Sequence, residues 1–316
     1  MKRMNFTMGA LLVLMATACA GNKTAGSQDG VAGDDSAMAL PESDTLVFEN
    51  VSWTDTIAYK VKIVDYSSDE DPAPYTIETA TDSYSFSTLK VVAGKPEVVK
   101  FINQWLTLDA ARELDCDPST AEDVAKKYAE LKKRDVTDVH SAMKSSSKEY
   151  LGDRSGADGE DEEALDEMPF ASGNEYESSI TFMWQTPALL TLWDSGYDYS
   201  AGAAHGMPWG FARTFDLKNL RILKYDDILK PESHEAVLKL VVADLVDEYS
   251  DSGMMNEPDE IDLPSSHPAL VAEGVRFDYG AYEIGAYALG MPEVVIPYEK
   301  MKPYLTDKVK ELLEIR

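Results

Sequence analysis

Several segments of the chain alternate apolar and polar residues, the pattern expected of strands that bury one face. The predicted strands are residues 45–53, 57–66, 75–92, 190–199, 209–217, 275–279 and 294–296. A further strand is predicted from Tyr176 to Trp184, where every second side chain would share one face. Strands are therefore expected in both the first and the second part of the chain.

Apolar residues three and four positions apart predict four helices. The predicted helices begin at Pro96, Ser119, Ser233 and Tyr298, and the last two run to about Tyr249 and to Arg316. Pro96 suits a first helical turn, where a missing N–H costs no hydrogen bond. Ser119 and Glu122 have the spacing of a capping box, which would begin the second helix.

Strands from both parts of the chain surrounding a few helices predict an α+β fold, with helices packed on an antiparallel sheet. We expect an N-terminal half at 45–170 and a C-terminal half at 171–316 that share one body. The joint falls near residues 153–167, which hold eight acids and one arginine. A calcium loop is the alternative for this segment. The absence of the EF-hand pattern favours a solvated surface loop.

The first residues predict export and lipid attachment. Lys2 and Arg3 precede a short apolar run and the small residues before Cys19, which is typical of a secretory signal peptide at 1–18. A cysteine at this point resembles a bacterial lipobox and implies a lipid on Cys19, anchoring the protein to a membrane of the cell envelope. An ordinary signal peptide with an incidental cysteine is the alternative. Residues 19–44 are rich in small and polar residues and are predicted to be a flexible tether.

The cysteine content and the net charge limit the chemistry and the ligands that are expected of this protein. Cys116 is the one cysteine after Cys19, so no internal disulfide is expected, and the flanking Asp115 and Asp117 disfavour its thiolate. The formal net charge of -28 repels nucleic acid and anionic headgroups, so nucleic acid is not an expected ligand. The same charge attracts basic partners, although acidity that only keeps the protein dissolved is the alternative.

The segment from Tyr197 to Leu217 is predicted to be a strand–loop–strand that presents one histidine. Its centre, Gly-Ala-Ala-His-Gly, has glycines that permit a tight backbone. The candidate binding residues are Tyr199, Gly202, His205, Gly206, Trp209 and Tyr282. His205 is expected to fix the loop through hydrogen bonds, since no second histidine lies near it in sequence. No metal or other cofactor is predicted.

A catalytic site is the alternative hypothesis for the same region. His205 and a pair of carboxylates could act on a glycan. The candidate acids are Asp226, Asp227, Asp278 and Glu283. No Gly-x-Ser-x-Gly nucleophile motif and no His-Glu-x-x-His metal motif is present in the sequence. The sequence therefore carries no recognisable catalytic set.

Three ordered blocks of the C-terminal half resemble a domain of unknown function that RsiV-type anti-sigma factors share with the non-catalytic part of PdaC-type peptidoglycan deacetylases. The blocks are Gly202–Gly206, then Phe215–Leu217 with Tyr225–Leu229, and then Gly274–Phe277 with Tyr279, Tyr282–Ile284, Tyr287–Gly290 and Val295–Tyr298. The stretch from Tyr59 to Ile63 and the Ile102-Asn103 pair resemble the companion N-terminal domain. Ala203 stands where the family pattern has a second glycine.

The resemblance implies an envelope sensor or binding module rather than an enzyme. The sequence carries neither the sigma-binding segment of an anti-sigma factor nor the metal motifs of a deacetylase domain. The expected partners are a lysozyme-like or other basic envelope protein, or a peptidoglycan fragment.

Overall fold

A seven-stranded sheet runs through both halves of the sequence, in the spatial order β3-β1-β2-β4-β5-β6-β7. Its strands are β1 (Val47–Val64), β2 (Tyr75–Ala93), β3 (Glu167–Met168), β4 (Glu175–Gln185), β5 (Leu189–Tyr199), β6 (Met207–Asp216) and β7 (Arg221–Ile222). Neighbouring strands are antiparallel, except that β1 with β3 and β2 with β4 are parallel. The predicted α+β class is confirmed, with these two parallel pairs in the sheet.

This computed structural model describes residues 45–315 except 70–71, 115–117, 152–164, 166, 169–170 and 254. The predicted signal peptide, Cys19, the tether and Cys116 lie outside the described residues, as does most of the acidic segment 153–167. Within the described residues, no helix combines the length and the apolar character needed to cross a membrane.

One layer of helices covers one face of the sheet. It consists of α1 (Pro96–Ala110), α2 (Ala121–Lys132) and α3 (Val139–Leu151), which connect β2 to the second half of the sheet. Trp105 of α1 is fully buried, and its ring packs edge-on against Phe215 of β6 with centroids 5.0 Å apart. The core under this layer therefore joins the N-terminal helices to C-terminal strands.

A second layer packs against β5 and β6 from the other face. It contains α4 (Tyr225–Ile228), α5 (His234–Tyr249), β8 (Ala269–Leu270), β9 (Gly274–Asp278), β10 (Glu293–Pro297), α6 (Tyr298–Met301) and α7 (Asp307–Leu312). Leu190 belongs to the core under α1–α3, whereas its neighbour Leu189 belongs to the core of this second layer. Adjacent strand residues point to opposite faces, so the two layers sandwich this part of the sheet.

Several predicted boundaries were wrong. The strands expected at 45–53 and 57–66 are one continuous strand, because Thr54 and Thr56 continue the pairing with Ser85 and Ser83. The second helix is capped by Thr120, whose hydroxyl accepts the Asp123 N–H at 3.2 Å, rather than by Ser119. Helix α5 does follow Ser233, but the Ser233 hydroxyl donates to the Lys230 carbonyl at 2.6 Å instead of capping.

The predicted terminal helix from Tyr298 to Arg316 was also wrong, since two short helices, α6 and α7, take its place. Leu305 forms a β-bridge with Leu229 between them, and the Thr306 hydroxyl caps α7. Pro303 lies in the break and has no N–H with which to continue a helix. Helix α3 was not predicted; its serine-rich sequence gives a weak helical signal.

Candidate functional site

The predicted strand–loop–strand is the β5–β6 hairpin, with residues 200–206 as its loop. Gly202 has a φ of +85°, a conformation that strains other residues. A Cβ on Gly206 would lie 2.1 Å from a carbon of the Tyr197 ring, so that position also requires glycine. The Ala201 N–H donates to the Asn174 side chain at 2.9 Å, which ties the loop to the start of β4.

His205 is held from three sides. Its Nδ1 lies 3.0 Å from the Gly206 carbonyl oxygen, and its Nε2 lies 3.1 Å from the Tyr282 hydroxyl. Since a carbonyl only accepts, Nδ1 carries the proton and Nε2 accepts the Tyr282 O–H. The ring stacks on Tyr287 with centroids 3.8 Å apart, and the Tyr287 hydroxyl donates to the Gly206 carbonyl at 2.8 Å.

These four residues form what we call the His205 patch: His205, Gly206, Tyr282 and Tyr287. His205 is exposed despite its hydrogen bonds, and the Tyr282 side chain is 51% exposed. Tyr282 has a φ of +68°, a strained backbone that is maintained only where its surroundings fix it. The patch is therefore an aromatic surface held in one geometry and open to solvent.

The structure brings together only some of the candidate binding residues. His205, Gly206 and Tyr282 meet in the patch, and Gly202 lies on the exposed tip of the same loop. Trp209 lies on the opposite face of the hairpin, where its ring covers Gly196. Tyr199 ends β5, across from Glu175 of β4.

None of the four acids of the catalytic alternative pairs with His205 in the part of the chain that the structure describes. Asp278 pairs with Arg276, and Asp227 pairs with Arg221. The Glu283 carboxylate accepts the backbone N–H groups of Ser265 and Gly280, both at 2.7 Å. Asp226 lies in the first turn of α4. Among the residues that the structure describes, none of the four is a hydrogen-bond partner of His205.

The Asp278–Arg276 pair is nearly buried behind the hairpin. The Arg276 Nε donates to Asp278 Oδ1 at 2.6 Å, a terminal nitrogen pairs with Glu293, and Asp278 Oδ2 accepts the Ala212 N–H at 2.9 Å. Burial raises the pKa of Asp278, and the Arg276 charge opposes this shift. These contacts attach β9 to the edge of β6.

A second polar cluster, which the sequence did not predict, lies on the helix side of the hairpin. The Tyr150 hydroxyl donates to Asp198 Oδ1 at 3.3 Å, and the Arg112 guanidinium lies 3.8 Å from the Tyr176 ring centroid. Burial raises the pKa of Asp198, opposed by the Arg112 charge, and raises the pKa of Tyr150 to about 12. Arg112 has a φ of +54° where it ends α1. No local motif signals this cluster, because its members come from four elements.

No group of three or more His, Cys, Asp or Glu side chains placed to hold a metal ion occurs within the described ranges. A pocket of about 250 Å³ lies between β6 and residues 265–267. Its lining residues are Phe211, Ala212, Arg213, Ile222, Leu223, Ser265, Ser266 and His267. The pocket lies beside Asp278, because the Ser266 hydroxyl donates to the Asp278 carbonyl at 2.8 Å.

Replacing His205 tests whether it fixes the loop. We expect His205→Ala to lower the free energy of unfolding by about 1 kcal/mol, because one hydrogen bond network and one ring contact are lost at an exposed site. Urea unfolding would measure the change, with His140→Ala as a matched control that leaves the loop intact. An unchanged stability together with unchanged chemical shifts for residues 200–206 would contradict the structural role.

Part of the sequence matches a protein family, and the fold is similar to that of a solved structure. Residues 226–299 match a family model described as a protein of unknown function, DUF3298. A crystal structure of a DUF3298 member from Bacteroides fragilis is similar, with 21% identity over 87% of this chain and 99% of that chain and a TM-score of 0.56. A DUF3298 protein from Pseudomonas aeruginosa matches at 17% identity over 84% and 97%, with a TM-score of 0.46. No curated protein matches.

The family match confirms a domain of unknown function within the C-terminal half, and the Bacteroides structure shows a shared fold. The matched range contains Tyr282 and Tyr287 and begins after the hairpin loop that carries His205. The RsiV-type assignment is finer than these matches and stays a prediction.

Proposed function

We propose that this chain is a lipid-anchored binding module of the bacterial cell envelope, without catalysis, and that the His205 patch docks a basic protein. The observation that carries the proposal is the combination of rigidity and exposure at Tyr282. Exposed aromatic side chains with fixed geometry dominate protein interfaces, because they bury large area at low entropic cost. Both His205 nitrogens serve to hold this surface, which supports a binding role rather than proton transfer.

The surroundings of the patch favour a basic partner. The Asn256 N–H donates to the Ile284 carbonyl at 2.9 Å, and Met255 forms a bridge with Gly285. These contacts bring the exposed acids of the next segment beside the turn that carries Tyr282 and Tyr287. The exposed acids are Glu257, Asp259, Glu260 and Asp262. From residue 240 to 299 the sequence has a single cationic side chain, Arg276, which is paired internally.

A lysozyme-like protein is the partner that the RsiV-type resemblance implies, and lysozymes are commonly basic. An aromatic centre with an acidic rim suits such a partner, since complementary charge speeds encounter while the buried aromatic gives affinity. A peptidoglycan fragment is the competing ligand for this surface.

The binding test compares two exposed tyrosines. We expect the full-length chain to bind a basic lysozyme at physiological salt, and Tyr282→Ala to weaken the affinity about tenfold or more, as truncation of an interface anchor does. Tyr66→Ala is the matched control, because Tyr66 is 72% exposed and lies at the far tip of the β1–β2 hairpin. Isothermal titration calorimetry would measure both.

An unrelated basic protein serves as the second control. Equal losses for the two tyrosine variants would contradict docking at the patch. If the lysozyme and the unrelated protein both bind weakly and are released together as salt rises, the attraction is generic and the proposal fails. Muropeptide binding at the patch without lysozyme binding would also contradict the protein partner.

The lipid anchor has its own test. We expect Cys19→Ser to move the protein from the membrane fraction into the soluble fraction, because the thiol that carries the lipid is lost. Fractionation and immunoblotting of cells that express each form would measure this. Unchanged membrane association of the variant would contradict lipid attachment at Cys19.

A further inference from the structure

One face of the large sheet carries small hydroxyl side chains in register across β1, β2, β4 and β5. The strand pairings place three rows side by side. The rows are Ser52–Ser87–Ser179–Ser195, Thr54–Ser85–Glu177–Tyr197 and Thr56–Ser83–Glu175–Tyr199. We call this surface the hydroxyl face.

The hydroxyl face is open to solvent. Tyr84 and Phe86 of β2 are buried beneath the α1–α3 layer, so their neighbours Ser83 and Ser85 point away from it. The second layer reaches the sheet at Trp193, over which the Arg276 guanidinium lies at 4.8 Å from the ring centroid. The three rows lie beyond that point and border the His205 patch where the Tyr197 ring packs against Gly206. Ser52, Thr54, Thr56, Glu175 and Glu177 are exposed, and the other seven members of the rows are half-buried.

The chemistry of this face differs from that of the His205 patch. Hydroxyls donate and accept hydrogen bonds without charge, and the rings of Tyr197 and Tyr199 offer flat apolar surfaces. Within the described part of the chain, the carboxylates of Glu175 and Glu177 have no hydrogen-bond or ion-pair partner. Two neighbouring carboxylates in the middle of neutral rows favour a ligand that brings positive charge between hydroxyl groups.

We propose that the hydroxyl face binds an extended polysaccharide with free amino groups. Sugar hydroxyls would pair with the serine and threonine rows, ammonium groups with Glu175 and Glu177, and pyranose faces with the two tyrosines. Strands spaced about 4.8 Å apart make the four-strand face on the order of 15 Å wide, which accommodates several sugar rings. This ligand is separate from the protein partner proposed above.

Defined oligosaccharides test the proposal on the full-length chain. We expect a glucosamine hexamer to bind, and an N-acetylglucosamine hexamer to bind at least tenfold more weakly because its amines are uncharged. Glu175→Gln with Glu177→Gln should weaken glucosamine hexamer binding at least tenfold. Glu299→Gln with Glu311→Gln, two exposed acids elsewhere with the same charge change, should leave it unchanged.

Several outcomes would overturn the proposal. They are no binding of the glucosamine hexamer, equal losses in the two double variants, or equal binding of both hexamers. Hexalysine binding with the same affinity and salt dependence would also overturn it, since the attraction would then be charge alone. Tyr282→Ala should leave hexamer binding unchanged, which separates this result from the fate of the protein-docking proposal.

Discussion

Asp278→Ala is expected to lower the free energy of unfolding by about 3 kcal/mol. The substitution leaves the Arg276 guanidinium, in a residue only 8% exposed, without its buried carboxylate partner. It also leaves the Ala212 N–H without its acceptor. Removing one member of a buried ion pair costs this much because the remaining charge stays desolvated. Chemical denaturation at neutral pH would measure the change.

Glu293→Ala is the matched control for this prediction. Glu293 pairs with the same guanidinium, but its side chain is 46% exposed, so its removal should cost less than about 1 kcal/mol. Adding Arg276→Met to Asp278→Ala should recover part of the lost stability, because the double variant no longer holds a cation that lacks its buried partner. Equal costs for Asp278→Ala and Glu293→Ala would contradict the importance of the buried pair.

The acidity of Asp278 gives the same pair a pH dependence. Because burial raises its pKa in the folded state, the folded protein holds this proton more tightly than the unfolded chain does. The tighter binding of this proton stabilises the folded protein fully at pH values below the pKa of Asp278 in the unfolded chain. This stabilisation is lost as the pH rises through the pKa of Asp278 in the folded protein. The stability difference between wild type and Asp278→Ala should therefore shrink as the pH rises through that range.

Trp105→Ala is expected to have the largest effect, a loss of about 3–5 kcal/mol, as for other buried tryptophans replaced by alanine. Trp105 is fully buried, and it contacts Phe215 from the other half of the sequence. We expect the N-terminal helices and the C-terminal strands to unfold in one transition, at a lower denaturant concentration. Circular dichroism and tryptophan fluorescence, recorded together, would measure this.

Tyr66→Ala provides the control for Trp105→Ala, since a side chain that is 72% exposed contributes little to packing. Two separate transitions, with only the first moved by Trp105→Ala, would show that the halves fold independently. That outcome would contradict the shared core.

The sequence predicted the fold class because alternation is a local signal. The strands predicted at 190–199 and 209–217 match β5 and β6 with boundaries shifted by two residues or fewer, since the glycines and aromatic residues of this hairpin lie within one segment. The terminal helix was wrong because Leu305 pairs with Leu229, a contact that helical spacing from Tyr298 onwards cannot reveal. Long-range pairing overrode local propensity there.

The candidate site was predicted only in part, because only some of its residues have a local sequence signal. His205 was found because its glycine neighbours stand out in the sequence. Its contact with Tyr282 joins residues 77 positions apart, so the sequence could name both residues but could not place them in one patch. The cluster of Asp198, Tyr150 and Arg112 was missed, because ordinary residues from separate elements form it.

The parallel pairing of β2 with β4 sets an order for assembly. The Asn174 N–H donates to Asp82 Oδ1 at 2.7 Å at this junction, across 92 residues of chain. A chain made from its N-terminus therefore completes the β1–β2 hairpin long before β4 exists, and the edge of β2 stays unpaired in the interval. Unpaired strand edges recruit other chains, and distant pairings form slowly. The newly made protein thus passes through a stage in which self-association competes with completion of the sheet.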